Sequence, residues 1–265
     1  VLSGMYQGIH ALCQEEKVNV IGGDTVHTEG PMVLTLSIVG DLPKDTAVLR
    51  SGAHVGDIIG ITHALGLAQA GFAILSQGGL AEKYPQACQR HCRPRPQITL
   101  GQDLRILGAT AMNDISDGLA SELHEIAKAS GVAMEISKEA IPLHKDIIQW
   151  IAHSSSRRGA GAVNESGAAI LVSSTVASTL GQGTTEQLFG RAQHFFEDPV
   201  EYSFFGGEDF QLVFTAPASQ EKALKQVDGV TIIGRVVAIS DAEGPVIMVD
   251  ERGHRMIIEK KGYNH

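Results

Sequence analysis

The chain has 265 residues, 43% hydrophobic and 19% charged, an ordinary globular composition that excludes a disordered or fibrous chain and gives length for one large domain or two moderate ones. The formal net charge of -9 excludes sequence-independent binding of nucleic acid, which relies on Lys and Arg neutralising phosphates. It leaves room for a phosphate-bearing small molecule held through a divalent cation. The absence of an apolar run of membrane-spanning length, together with three cysteines, leads to the expectation of a cytoplasmic chain with free thiols and no membrane partner.

In chain order, Met5, Ile9, Leu12 and Cys13 fall at helical spacing and predict a helix over 3–16. Because Val1 runs straight into that pattern, an N-terminal portion upstream of it is expected. "VNVIGG" (18–23) reads as a short buried strand ending in a glycine turn, and "MVLTLSIVG" (32–40) as a second strand. A loop and strand follow over 50–62, then helices over 63–78 and, after the proline-punctuated "RPRP", over 98–109. Residues 118–130 predict an amphipathic helix with Leu119, Leu123, Ile126 and Ala127 on one face and Gly131 as its stop. "VAMEI" and "FQLVFTA" read as strands, "EKALKQV" as a helix, and "VTIIGRVV" and "VIMVD" as closing strands. Helices and strands mix without βαβ regularity, so an α+β fold with a mixed or antiparallel sheet is expected. The stretch from His153 to Thr185, rich in Ser, Gly and Thr, reads as a surface insertion.

Three acidic clusters could carry chemistry. In "IGGDTV" two glycines admit a ligand to the backbone, and Asp24 projects at the end of a predicted strand; a plain Asp-capped turn is the alternative. In "NDISDGL", Asp114 and Asp117 lie three apart with Ser116 between them, at a predicted helix start. An N-cap accounts for one of these carboxylates, not for two with a hydroxyl. Clustered carboxylates repel unless a cation or strong donors compensate, and Mg²⁺ takes one or two such oxygens plus water and substrate phosphates. The third cluster, "GGEDF", holds Glu208 and Asp209 before a strand, and reads as a hairpin turn or as part of a site. It shares letters with a diguanylate cyclase signature, in a different order and context. "CQRHC" places Cys88, His91 and Cys92 close together, but structural zinc wants four ligands, so packing residues are the better reading. No nucleophile elbow or "GxxxxGK" phosphate loop occurs in the sequence.

Taken together, "IGGDT", "RSGAHVGD", "RHCRPRPQI", "DISDGLASELHEIAKAS", "GGEDFQL" and the terminal "KGYNH" resemble, in order and over nearly the whole chain, the thiamine-monophosphate kinase family of the aminoimidazole ribonucleotide synthetase-like superfamily. The resemblance implies a two-domain fold, with 1–46 as the tail of an N-terminal ATP-binding domain and 47–265 as a C-terminal domain carrying the 153–185 insertion. It implies ATP- and Mg²⁺-dependent phosphorylation of thiamine monophosphate to thiamine diphosphate, and a homodimer when full length. Position by position, it implies Asp24, Asp114 and Asp117 as magnesium ligands, and Gly23, Asp24, Arg50 and Ser116 as ATP contacts. Glu208 and Tyr263 are implied at the substrate, where a thiazolium cation would meet a carboxylate and an aromatic face. The alternatives are a superfamily synthetase acting on a purine precursor, or a binding module without turnover.

Overall fold

The structure is a computed structural model that describes residues 2–77, 80–159, 196, 198–240 and 244–260. The chain divides into two compact units, Val1–Ala47 and Val48–His265. In the first, α1 (Leu2–Glu15) forms as the 3.6 spacing predicts, and the Tyr6 hydroxyl hydrogen-bonds Thr25 Oγ1 at 3.2 Å. The strands expected at 18–23 and 32–40 are not there. Both stretches are irregular, with Ile21 91%, Ile38 85% and Val39 88% exposed. A strand is a property of a pair of segments, because its N–H and C=O groups need a neighbour's ladder. Among the described residues of this unit no segment supplies that ladder.

The second unit is built on a seven-stranded sheet. Its elements, in chain order, are β1 (Ile58–Thr62), α2 (Leu67–Ser76), α3 (Pro85–Cys92), α4 (Ile98–Ile106), β2 (Ala111–Ile115), α5 (Leu119–Ser130), β3 (Ala133–Ser137), α6 (Lys145–Gly159), α7 (Pro199–Phe205), β4 (Gln211–Ala216), α8 (Glu221–Leu224), β5 (Val230–Val237), β6 (Val246–Val249) and β7 (Arg255–Ile257). Strand order is β2-β4-β1-β5-β3-β6-β7. Every pairing is antiparallel except β3 with β6, so the sheet is mixed. Helix α6 extends to Gly159 where an insertion loop was expected, since Ile147, Trp150 and Ile151 give its first turns an apolar face that its serines tolerate. The remainder of the predicted insertion, 160–185, lies outside the described residues.

Alternation along the strands separates two cores. Ile59, Ile61 and Val213 face the cluster that includes Leu119, Leu123 and Ile126 of α5 and Phe204 of α7. Ile58, Phe214 and Ala216 face Leu104 of α4 and Leu224 of α8 on the other side. Residues buried this fully contribute about 1.5–3 kcal/mol each for Leu, Ile or Phe. A third cluster lies among helices and joins α2, α3, α6 and α7 around Ile74, Trp150, Tyr202 and Tyr84, the residue before α3. Buried carboxylates hold its helix starts from far along the chain. Asp146 of α6 accepts from the Gln86 and Ala87 N–H groups of α3 at 3.0 and 3.1 Å, satisfying donors that the first helical turn cannot pair internally.

Helices α2 and α3 approach closely at Gly71, where an added Cβ would overlap the Ala87 carbonyl. Alanine favours a helix over glycine by about 1 kcal/mol, whereas overpacking against backbone costs about 1–3 kcal/mol. Gly71→Ala is therefore expected to lower stability by about 1 kcal/mol net, measured by urea unfolding. An unchanged or raised midpoint would show that the two helices do not meet at this glycine.

Candidate active site

The register of β2 on β4 dictates what meets at one end of the sheet. Ile115 pairs with Gln211 and Ala111 with Thr215, so the exit of β2 and the entry of β4 lie side by side. "NDISD" and "GGEDF" are thereby joined by backbone hydrogen bonds. Glu208 N–H donates to the Ser116 carbonyl at 2.7 Å, and Phe210 N–H to the Ile115 carbonyl at 2.9 Å. The approach is tight enough that a Cβ on Gly207 would lie 2.8 Å from the Ser116 oxygen, which is why glycine fits there. The exit of β1 reaches the same end. Thr62 Oγ1 donates to Gln211 Oε1 at 3.1 Å and accepts from Leu212 N–H at 2.9 Å.

Strand alternation sorts the polar side chains of this end. Along β2, Asp114 faces outward and is exposed, while its neighbour Asn113 is buried. Asp117 and Ser116 are half-buried in the turn that follows. Helix α5 is capped by Gly118, with no side-chain cap bond, so neither aspartate is used as the N-cap that would have explained one of them. Among the described residues neither the Asp114 nor the Asp117 carboxylate has a hydrogen-bond or ion-pair partner. Arg50 reaches the same cluster, its Nε donating to Asn113 Oδ1 at 3.1 Å.

Two residues that matter here were given no role of their own from the sequence. Glu122 of α5 is 4% exposed. It accepts from Asn113 Nδ2 and from the Asp117 N–H, the latter at 3.4 Å. Burial pushes its carboxyl up to about 7, and the negative charges of Asp117 and Asp114 add to the shift; the Asp117 N–H and the Arg50 charge oppose it. The sequence signal was present, since Glu122 falls between Leu119 and Ile126 on the apolar stripe of α5. Asp209 is fully buried and accepts from the Gly66 N–H and, at 3.0 Å, the Ala68 N–H, capping α2 from 141 residues away. Its parity with Gln211 and Val213 of β4 marks it as inward, and Glu208 as outward. The acidic pair thus splits: Asp209 builds the fold, and Glu208 presents its side chain, 70% exposed, with Oε2 3.9 Å from His91 Nδ1. Glu208 sits at φ 64, a left-handed backbone that a non-glycine residue adopts at a cost.

The structure brings Arg50, Asp114, Ser116, Asp117 and Glu208 to one sheet end. Gly23 and Asp24 lie in the other unit, both exposed, with Asp24 Oδ1 accepting from Thr25 N–H at 2.8 Å. Tyr263 lies outside the described residues. Cys13, Cys88 and Cys92 are free, and among the described residues no three His, Cys, Asp or Glu side chains converge to hold a metal unaided. No described helix is long and apolar enough to cross a membrane. The donor set at Asp114 and Asp117 nonetheless suits a hard cation. Two unpartnered carboxylates stand beside a third whose ionisation they oppose, and Mg²⁺ completes its shell with water and ligand phosphates.

Residues 54–244 match the family described as AIR synthase related protein, C-terminal domain. The chain is similar to the thiamine-monophosphate kinase of Bacillus subtilis (strain 168), 31% identical over 277 residues that cover 100% of this chain and 69% of the relative. Among solved structures, it is similar to the thiamine-monophosphate kinase from Stenotrophomonas maltophilia K279a, with a TM-score of 0.55 and 25% identity, covering 78% of this chain and 54% of that one. It is also similar to AaThiL complexed with AMPPCP and TMP, with a TM-score of 0.54 and 28% identity over 82% of this chain and 54% of that one. The chain spans about two thirds of the length of that curated relative and just over half of these solved chains.

The Asp209 cap has a pH signature. Burial raises its carboxyl from 3.8 to about 6, against the pull of the Ala68 and Gly66 N–H groups and the Arg90 charge. The native state then binds a proton that the unfolded chain has already released, so this group's contribution to stability falls as pH rises from about 4 to about 6 and is constant above. Melting temperatures of wild type minus Asp209→Asn are expected to decline across that window. A flat difference would mean that the buried carboxyl titrates as an ordinary aspartate.

Proposed function

Because the chain belongs to the thiamine-monophosphate kinases of the AIR synthase related family, we propose that it serves the direct transfer of the ATP γ-phosphoryl group to the phosphate of thiamine monophosphate, giving thiamine diphosphate. The observation that carries this reading is the backbone bond from Glu208 to Ser116. It sets the outward carboxylate of one turn against the paired carboxylates of the other, so a cationic acceptor and a metal-bound nucleotide would meet at a single sheet end.

In this reading Asp114 and Asp117 hold Mg²⁺, and Asp24 is assigned to the same ion type from its own unit. Bound Mg²⁺ supplies neutralisation of phosphate charge between two anionic reactants. Arg50 and Ser116 bind the nucleotide, and a planar guanidinium suits phosphate oxygens; Gly23 with Asp24 is assigned a nucleotide contact from its own unit. Glu208 faces the thiazolium cation, and Tyr263 packs on the substrate. An acceptor phosphate oxygen, already anionic, attacks the γ-phosphorus as the bond to the bridging oxygen breaks, and ADP leaves with that electron pair. The nucleophile needs no deprotonation, so the residues align and screen rather than act as a base. A homodimer of the full-length protein and a cytoplasmic location belong to the same reading.

Formation of thiamine diphosphate by this chain from ATP, Mg²⁺ and thiamine monophosphate tests it. Asp114→Asn and Asp117→Asn are each expected to raise the Mg²⁺ concentration for half-maximal rate at least about tenfold. Superimposable Mg²⁺ titrations in both variants would remove the metal assignment. Glu208→Gln is expected to raise KM for thiamine monophosphate about fivefold, the range of an exposed ion pair, and to leave KM for ATP in place. Equal losses for both ligands would show that Glu208 supports the turn and does not select the acceptor.

A further inference from the structure

A carboxylate on the apolar stripe of a helix needs a reason, because burying its charge costs free energy that a leucine at the same place would not incur. Glu122 spends both oxygens on site residues. One accepts from Asn113 Nδ2, and the other from the Asp117 N–H at 3.4 Å. Asn113, 8% exposed on the inward face of β2, turns its Oδ1 to Arg50 Nε at 3.1 Å. An unbroken chain therefore runs from the Arg50 guanidinium through Asn113 and Glu122 to the backbone of Asp117, in the turn that follows β2.

The order of donors in this chain is fixed by Arg50. A guanidinium only donates, so Asn113 must turn its carbonyl oxygen to Arg50 and present its NH₂ to Glu122, which accepts. Arg50 then commits its Nε inward, and its two Nη groups have no partner among the described residues. The same carboxylate ties down the Asp117 N–H immediately before the Gly118 cap, where φ is 100 and a small rotation would swing Asp117 away from Asp114, which the β2–β4 ladder holds. We infer that Glu122 is a positioning residue of the site: through Asn113 it aims Arg50 at the nucleotide phosphates, and through the Asp117 N–H it sets the turn that places Asp117 beside Asp114 of β2.

The inference rests on the phosphotransfer reading, and its test separates the two. Binding of Mg²⁺ and the ATP analogue AMPPCP is measured by calorimetry on the full chain, for wild type, Glu122→Gln, Arg50→Ala and the double variant, with melting temperatures alongside. Glutamine keeps the volume of Glu122 and can accept only at one oxygen, so one of the two links is cut without opening a cavity. Glu122→Gln is expected to weaken AMPPCP binding about tenfold, the scale of a lost hydrogen bond to a charged group. In the Arg50→Ala background it is expected to weaken binding by no more than about threefold, because residues that act through one another are non-additive. Should Glu122→Gln not fold, Asn113→Ala cuts the chain at its middle and enters the same cycle. Equal losses in both backgrounds, or no loss in either, would overturn the positioning role while leaving the phosphotransfer reading in place. A wild type that binds no AMPPCP in the presence of Mg²⁺ would overturn that reading, and the inference with it.

Discussion

The site depends on a single buried carboxylate. Asp209 sits at the entry of β4 and caps α2, accepting from Gly66 and Ala68. It thereby fastens the loop after β1 to the turn before β4, and the β2–β4 register brings the exit of β2 to that same turn. Three chain segments, far apart in sequence, become one surface through it. The cost is visible in the raised affinity of Asp209 for its proton, to about 6. Burial of the charge is incompletely offset by the donors that face it. That cost holds Glu208 in place, since the residue before a fixed aspartate has little freedom, and its left-handed φ of 64 is enforced by the bonds on either side.

The same device recurs one helix along. Asp146 caps α3 from 59 and 60 residues away, so the helical layer beside the sheet is pinned at its N-termini by side chains from distant elements, in addition to its apolar contacts. Local sequence around Gly66 and Tyr84 offers no capping side chain to either helix. Tertiary structure supplies what the first turns lack, and the two helices are placed as a consequence of where the carboxylates are.

What could be read from the sequence follows from how local each feature is. Helix α5 was legible because Leu119, Leu123, Ile126 and Ala127 repeat at helical spacing, and all are buried. Strands β3 to β6 were legible as apolar runs, though not their order, which depends on pairings between residues as distant as Glu135 and Ile247. The apolar alternation at 32–40 was equally strong and forms no strand among the described residues, because alternation predicts a face and says nothing of an edge to pair with. At the candidate site, two of the six motif stretches, "DISDGLASELHEIAKAS" and "GGEDFQL", meet at one sheet end, but their letters do not give the division of labour inside them. Glu208 and Asp209 are adjacent letters with opposite fates, set by which parity faces the core. Glu122 escaped notice because a charged letter on a helix reads as solvent-facing until its neighbours at three and four places are considered.

Charge gives the remaining connection between composition and chemistry. A net charge of -9 first serves to exclude nucleic acid, and it looks equally unsuited to a nucleotide. The structure concentrates the difficulty: Asp114, Asp117 and Glu122 share one sheet end, and Glu122 is pushed up to about 7, with burial the larger cause and its acidic neighbours adding to it. Arg50 reaches this cluster, and Lys260, bonded to Glu125, acts on Glu122 and Asp117 from further off; under the proposed function these two cations are too few for a triphosphate as well as the carboxylates around it. Under the proposed function, an arrangement of this kind would repel a nucleotide until a divalent cation arrives with it. Nucleotide binding and metal binding would then be linked, each raising the affinity for the other by the same factor. In that reading, the acidity that excludes one class of phosphate ligand would select, among phosphate ligands, those that come with a metal ion.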